Sequence, residues 1–167
     1  MTRRLVRAAL LTALLVSLVA GCRSGTDGPP TPPEGGAPAA NTTDPHWVAQ
    51  HAPAAKIALV FVHGIFGDTV GTWTHAGGTS MFDLVRQNPA IGPKVDLLAF
   101  GYTSNMFTAG SLDVQEAANL LHARLQFHGV FDYPAIVFVT HSMGGLVVLR
   151  ELLTQRAILP KVKGLVF

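Results

Sequence analysis

The stretch Ala135-Ile136-Val137-Phe138-Val139-Thr140-His141-Ser142-Met143-Gly144-Gly145-Leu146-Val147-Val148-Leu149 decides the fold. Ala135–Thr140 is a continuous apolar and β-branched run, the composition of a strand covered on both faces. Gly144–Arg156 reads as a helix, apolar almost all round in its first turns, and is expected to be central and buried. Only a tight turn separates the two. Such a turn pushes its middle side chain, Ser142, into the open above the carboxyl end of the strand. The helix N-terminus behind that hydroxyl favours developing negative charge. Positions two residues away must be small, because strand and helix backbones pass close together. Gly144 meets that demand, and Thr140, the smallest β-branched residue, suits a strand end.

Upstream the alternation repeats. Ile57–Val62 is another buried-strand run, followed by a Gly-rich loop over His63–Gly78. Thr79 or Ser80 can cap a short helix, Met81–Gln87, that stops before Asn88-Pro89. Val95–Phe100 is a further strand, closed by Gly101. Ser111 can cap a long helix from Leu112, with Asp113 and Glu116 in its first turn, a buried stripe of Val114, Ala117, Ala118, Leu121 and Leu125, and Gly129 as its stop. Lys163–Phe167 begins one more strand. Strands alternating with helices predict the α/β class: a parallel sheet, right-handed crossovers and helices on both faces.

A second loop carries chemistry. His63-Gly64-Ile65-Phe66-Gly67 directly follows the Ile57–Val62 strand. With Phe61-Val62 before it, Asp68 and Thr72-Trp73 after it, and Thr140–Gly145 downstream, it resembles the serine esterase/lipase branch of the α/β-hydrolase family, which includes relatives of GPI-inositol deacylases. The resemblance covers about residues 57–167. It implies that Ser142 is the nucleophile on the family's strand-to-helix elbow and that backbone N–H groups of Ile65 and Met143 form the oxyanion hole. His63, Gly64, His141 and Gly144 are implied as motif support. Trp73 and Phe66 are read as core aromatics, with an acyl pocket as the alternative. His141 is not the base for Ser142, because residues flanking such a turn point away from each other. His75, His122 and His128 read as surface or helix residues, and Asp68 as a turn residue.

A serine nucleophile needs a base, and an acid to orient it. In this family the order is Ser, then Asp or Glu, then His. After Ser142 come no His and no Asp, and Glu151 is the sole carboxylate, on a helix. The chain is therefore expected to be the N-terminal portion of a larger hydrolase, an incomplete α/β-hydrolase fold inactive alone, with Phe167 in an edge strand.

The N-terminus reads as an address. A basic head, Met1–Arg7, precedes an apolar run over Ala8–Ala20, too short for the roughly 20 residues of a permanent span. Val19-Ala20-Gly21-Cys22 resembles the bacterial lipobox, which implies that Cys22 becomes the first mature residue and carries lipid. Residues 1–21 are then a lipoprotein signal peptide and residues 22–55 a lipidated Cys with a tether holding seven of the eleven prolines. Residues 56–167 form the hydrolase portion, and His46-Trp47-Val48, the one apolar spot of the tether, reads as its frayed start, with docking on the domain as the alternative. The expected location is the bacterial cell envelope, anchored outside the cytoplasmic membrane or in the outer membrane.

Composition excludes several classes. Of 167 residues 49% are hydrophobic and 13% charged, which is not a disordered charged chain. Without Arg3, Arg4 and Arg7 the net charge of +2 becomes −1, so no nucleic-acid partner is expected. One cysteine allows neither an intrachain disulfide nor a Cys-based zinc site, and no cofactor or metal is expected. The sequence thus points to a membrane-tethered serine hydrolase of carboxylic esters, lipid or acyl. The alternatives are a non-catalytic binding module on the same fold and an acyltransferase.

Overall fold

Alternating side chains give each strand two faces to bury, and this chain has apolar residues for both. The computed structural model describes residues 43–50, 55–103 and 114–167. The signal, Cys22, most of the tether, and the helix-start residues Ser111 and Asp113 lie outside the described residues. Five strands form one sheet: β1 (His46–Ala49), β2 (Ile57–Val62), β3 (Val95–Phe100), β4 (Ala135–Thr140) and β5 (Val162–Val166), in the order β1-β3-β2-β4-β5. Strands β2 to β5 run parallel, with Val62 level with Phe100 on one side and Thr140 on the other.

Helices cover both faces. On one, Ala58, Val60 and Val62 of β2, Leu98 and Phe100 of β3, and Ile136 and Phe138 of β4 pack under two helices, α2 (Val114–Phe127) and α3 (Gly144–Thr154). Ala117, Ala118, Leu121 and Leu125 are the buried stripe of α2, as the spacing predicts, and Gly129, at φ 70°, ends that helix in the left-handed region. On the other face, Phe61, Leu97 and Ala99 pack with Trp73 and with Phe82 of the short helix α1 (Met81–Gln87). Phe61 takes both rings edge-on, Trp73 at 5.1 Å and Phe82 at 4.9 Å. Of the two candidate caps for α1, Ser80 is the one used, its hydroxyl accepting from the Asp83 N–H at 3.3 Å.

Two elements differ from the sequence reading. His46–Ala49 is not a frayed start but an edge strand, antiparallel to β3, with His46 opposite Ala99 and Trp47 opposite Leu98. β3 is buried along its whole length, so its outer edge needs a hydrogen-bonding partner, and β1 supplies one. Trp47 adds a ring contact to Tyr133 at 5.6 Å, and the Tyr133 hydroxyl donates to buried Asp96 at 2.6 Å. Helix α3 is not central. It buries Val147, Val148, Glu151 and Leu152 while Leu146, Leu149 and Leu153 stand exposed, because a helix lying on one sheet face has only one stripe to bury. The helix ends at Thr154, and a 3₁₀ segment, Arg156–Lys161, leads into β5. Among the described residues no helix is long and apolar enough to cross a membrane.

Candidate active site

The strand order reverses at β2. From β2 the chain goes to β3 on one side, then crosses to β4 on the other. In open α/β sheets the crevice outside the carboxyl ends of the strands at such a reversal is where ligands bind. The segments leaving β2 and β4 there are the two singled out by sequence, His63–Gly67 and His141–Gly145.

Ser142 occupies the turn between β4 and α3 with φ 53°, a left-handed conformation rare for a residue with a side chain, and it is exposed. The turn is pinned by neighbouring backbone. The His141 N–H donates to the Val62 carbonyl at 3.0 Å, the Gly144 N–H to the His141 carbonyl at 3.0 Å, and the Gly145 N–H to the Ser142 carbonyl at 3.1 Å. Gly144 is required: a methyl group there would lie 2.3 Å from the Val62 carbonyl oxygen and 2.6 Å from that of His63. Thr140, at the other small position, is buried, and its hydroxyl donates to the Val166 carbonyl at 2.8 Å. A hydroxyl with a partner is accepted in a crowded site where an unpaired one would be costly. It ties the elbow to β5.

Gly64 abuts the same turn. A methyl group on it would lie 2.8 Å from Ser142 Cβ, 2.9 Å from the His141 carbonyl oxygen and 3.3 Å from the Met143 nitrogen. The Gly67 N–H donates to the Gly64 carbonyl at 3.1 Å, closing a four-residue turn whose third residue, Phe66, has φ 58°. Ile65 is the second residue of that turn. Among the described residues, the N–H groups of Ile65 and Met143 have no hydrogen-bond partner. They are two unengaged donors on segments that touch through Gly64.

His63 is fully buried. Its Nε2 faces the Tyr102 N–H at 3.3 Å and must accept, while Nδ1 faces the Gly64 carbonyl at 2.9 Å and must donate. The ring is therefore neutral, with its proton on Nδ1. Burial pushes its pKa below the ordinary value, against the opposing pull of the Gly64 carbonyl and the Asp68 charge. With both nitrogens occupied, His63 has none left for Ser142. Among the described residues no base is hydrogen-bonded to the Ser142 hydroxyl.

Other sequence candidates fall elsewhere. Trp73 belongs to the core as expected, whereas Phe66 is 74% exposed and does not. Asp68 organises its turn: its Oδ1 accepts from the N–H groups of Val70 at 2.6 Å and Gly71 at 2.5 Å. His122, read as a surface helix residue, bonds through Nδ1 to Oε1 of buried Glu151 at 2.6 Å, linking α2 to α3. Tyr102 was missed. Its place just after β3, beside β2 in the sheet, is the only signal it carried. Among the described residues no group of three or more His, Cys, Asp or Glu could hold a metal ion. Comparison with protein-family models, with curated proteins and with solved structures gives no match.

Proposed function

We propose that this protein is a serine hydrolase of carboxylic esters, of lipid or acyl type, on an α/β-hydrolase fold. The observation that carries the reading is Ser142: an exposed hydroxyl on a left-handed strand-to-helix turn, at the strand-order reversal, with Gly64 packed against it. In this reading Ser142 Oγ attacks the ester carbonyl carbon as its proton passes to a base. The negative oxygen takes the N–H groups of Ile65 and Met143. Collapse expels the alcohol, leaving an acyl-serine that water then hydrolyses to the acid. In this reading the base and its acid are not among the partners described for Ser142. Lipidation at Cys22 would hold the domain at the cell envelope, close to lipid esters.

The test is labelling of the natural full-length gene product with a fluorophosphonate probe, alongside Ser142→Ala. Labelling and ester turnover lost in the variant support the reading. Turnover unchanged in Ser142→Ala overturns it, and a folded wild type that binds esters without labelling or turnover marks a binding module.

A further inference from the structure

We infer that Tyr102 is a positioning residue for the oxyanion donor at Ile65, acting through His63; this rests on the hydrolase reading above. Tyr102 grips His63 three ways. Its ring stacks on the imidazole with centroids 4.4 Å apart and planes within 9°. Its N–H donates to His63 Nε2 at 3.3 Å, and its hydroxyl donates to the His63 carbonyl at 2.9 Å. His63 passes the constraint on. Its Nδ1–H donates to the Gly64 carbonyl, which also accepts the Gly67 N–H that closes the turn. Ile65 lies inside that turn, so its N–H direction is set by a carbonyl held from both sides.

The arrangement is costly unless it does something. An imidazole and a phenol, both buried, are spent on one short loop. Only one of the two hydrogen-bonded rings lies on the segment leaving β2; the other comes from the segment leaving β3. Two strand ends are thereby locked together beside the strand-order reversal, on the side away from β4. Ser142 is held from the β4 side by Gly144 against the Val62 and His63 carbonyls, so the nucleophile and the donor share one point of reference, the His63 carbonyl that the Tyr102 hydroxyl bonds. A tetrahedral oxyanion demands that mutual placement, since a shift of about 1 Å can cost roughly 100-fold in rate.

Tyr102→Phe keeps the stack and the backbone donor and removes only the hydroxyl; Tyr102→Leu removes the stack as well. The natural full-length gene product is used for both, with folding checked by circular dichroism. The first readout is the fluorophosphonate reaction at Ser142, separated into reversible binding and the maximal rate of phosphonylation. The expected result is a maximal rate lowered about 10-fold in Tyr102→Phe and about 100-fold in Tyr102→Leu, with probe binding little changed. The second is hydrogen exchange of the Gly67 amide, expected about 10-fold faster in Tyr102→Phe. Equal phosphonylation rates in folded wild type and Tyr102→Phe overturn the inference. If the wild type is not labelled at Ser142 at all, the hydrolase reading fails on its own. The clamp is then judged by Gly67 exchange, and an unchanged rate overturns it.

Discussion

Gly64 lies against Ser142 so closely that a methyl group on Gly64 would stand 2.8 Å from the serine Cβ and 2.9 Å from the His141 carbonyl oxygen. Neither contact can relax by rotating a flexible side chain, since one atom is a Cβ and the other is backbone. The loop after β2 and the elbow after β4 are therefore in contact with no room for a methyl group between them.

Gly64→Ala should be destabilising by about 1–3 kcal/mol, the usual cost of overpacking a close-packed site. It should also slow fluorophosphonate labelling of Ser142, because relief of the overlap has to shift the elbow or the turn. Urea unfolding of the variant checks the first statement. An unchanged midpoint would mean that the two segments are not in contact.

At Ser142 the backbone sits at φ 53°. A left-handed conformation costs an ordinary residue about 1–2 kcal/mol, and glycine escapes that cost while its unfolded chain gains entropy. Ser142→Gly should therefore be more stable than Ser142→Ala by up to about 1 kcal/mol, although both lack the hydroxyl. Thermal unfolding of the pair decides this. A less stable glycine variant would show that the turn is not left-handed in solution.

The parts of the fold that sequence exposed are those governed by local rules. Ile57–Val62, Val95–Phe100 and Ala135–Thr140 are strands because six-residue apolar runs between Gly-rich and polar breaks have few alternatives. Gly144 was legible as a close-approach residue for the same reason, and the Val62 carbonyl 2.3 Å from its missing methyl supplies the cause. What stayed hidden depends on residues far apart in the chain. β1 is four residues next to Pro45, and only the open edge of β3 makes it a strand. Tyr102 and His63 are 39 positions apart, and His122 and Glu151 are 29 apart on two helices. The apolar composition of α3 misled for a physical reason. Leu146, Leu149 and Leu153 look like core residues, but the face they occupy has no neighbour among the described elements.

His63 gives a pH dependence of known sign. Its folded pKa lies below the ordinary 6.5, chiefly through burial. In the window between that lowered value and 6.5 the unfolded chain holds the proton and the folded chain does not, so stability rises with pH. The contribution is complete above 6.5 and is lost as pH falls through the folded pKa. Direct titration of the His63 ring by NMR should find Nδ1 protonated and Nε2 bare down to a pH below 6.5. A ring that becomes doubly protonated at or above 6.5 would contradict the hydrogen bonds assigned to it.

The pair His122–Glu151 should behave asymmetrically. Glu151 is 1% exposed, and burial raises its carboxyl pKa while the His122 bond and charge pull it back down. His122 is 29% exposed and can find water when its partner is removed. His122→Ala strands a buried carboxylate, which typically costs about 3–5 kcal/mol, whereas Glu151→Gln leaves a neutral group and should cost distinctly less. Replacing both, as His122→Leu with Glu151→Met, should recover much of the loss, because it leaves no buried carboxylate without a partner. In His122→Ala the opposing pull is gone, so the folded pKa of Glu151 lies still further above 4.5. In the window between 4.5 and that raised value the folded state binds more protons than the unfolded one, so stability falls as pH rises. The deficit of His122→Ala relative to wild type should therefore be largest at pH 7 and shrink toward pH 4.5. Urea unfolding of the three variants at both pH values measures it. A deficit independent of pH would mean that Glu151 is already neutral in the folded protein, and that the link between α2 and α3 is a hydrogen bond to an uncharged acid.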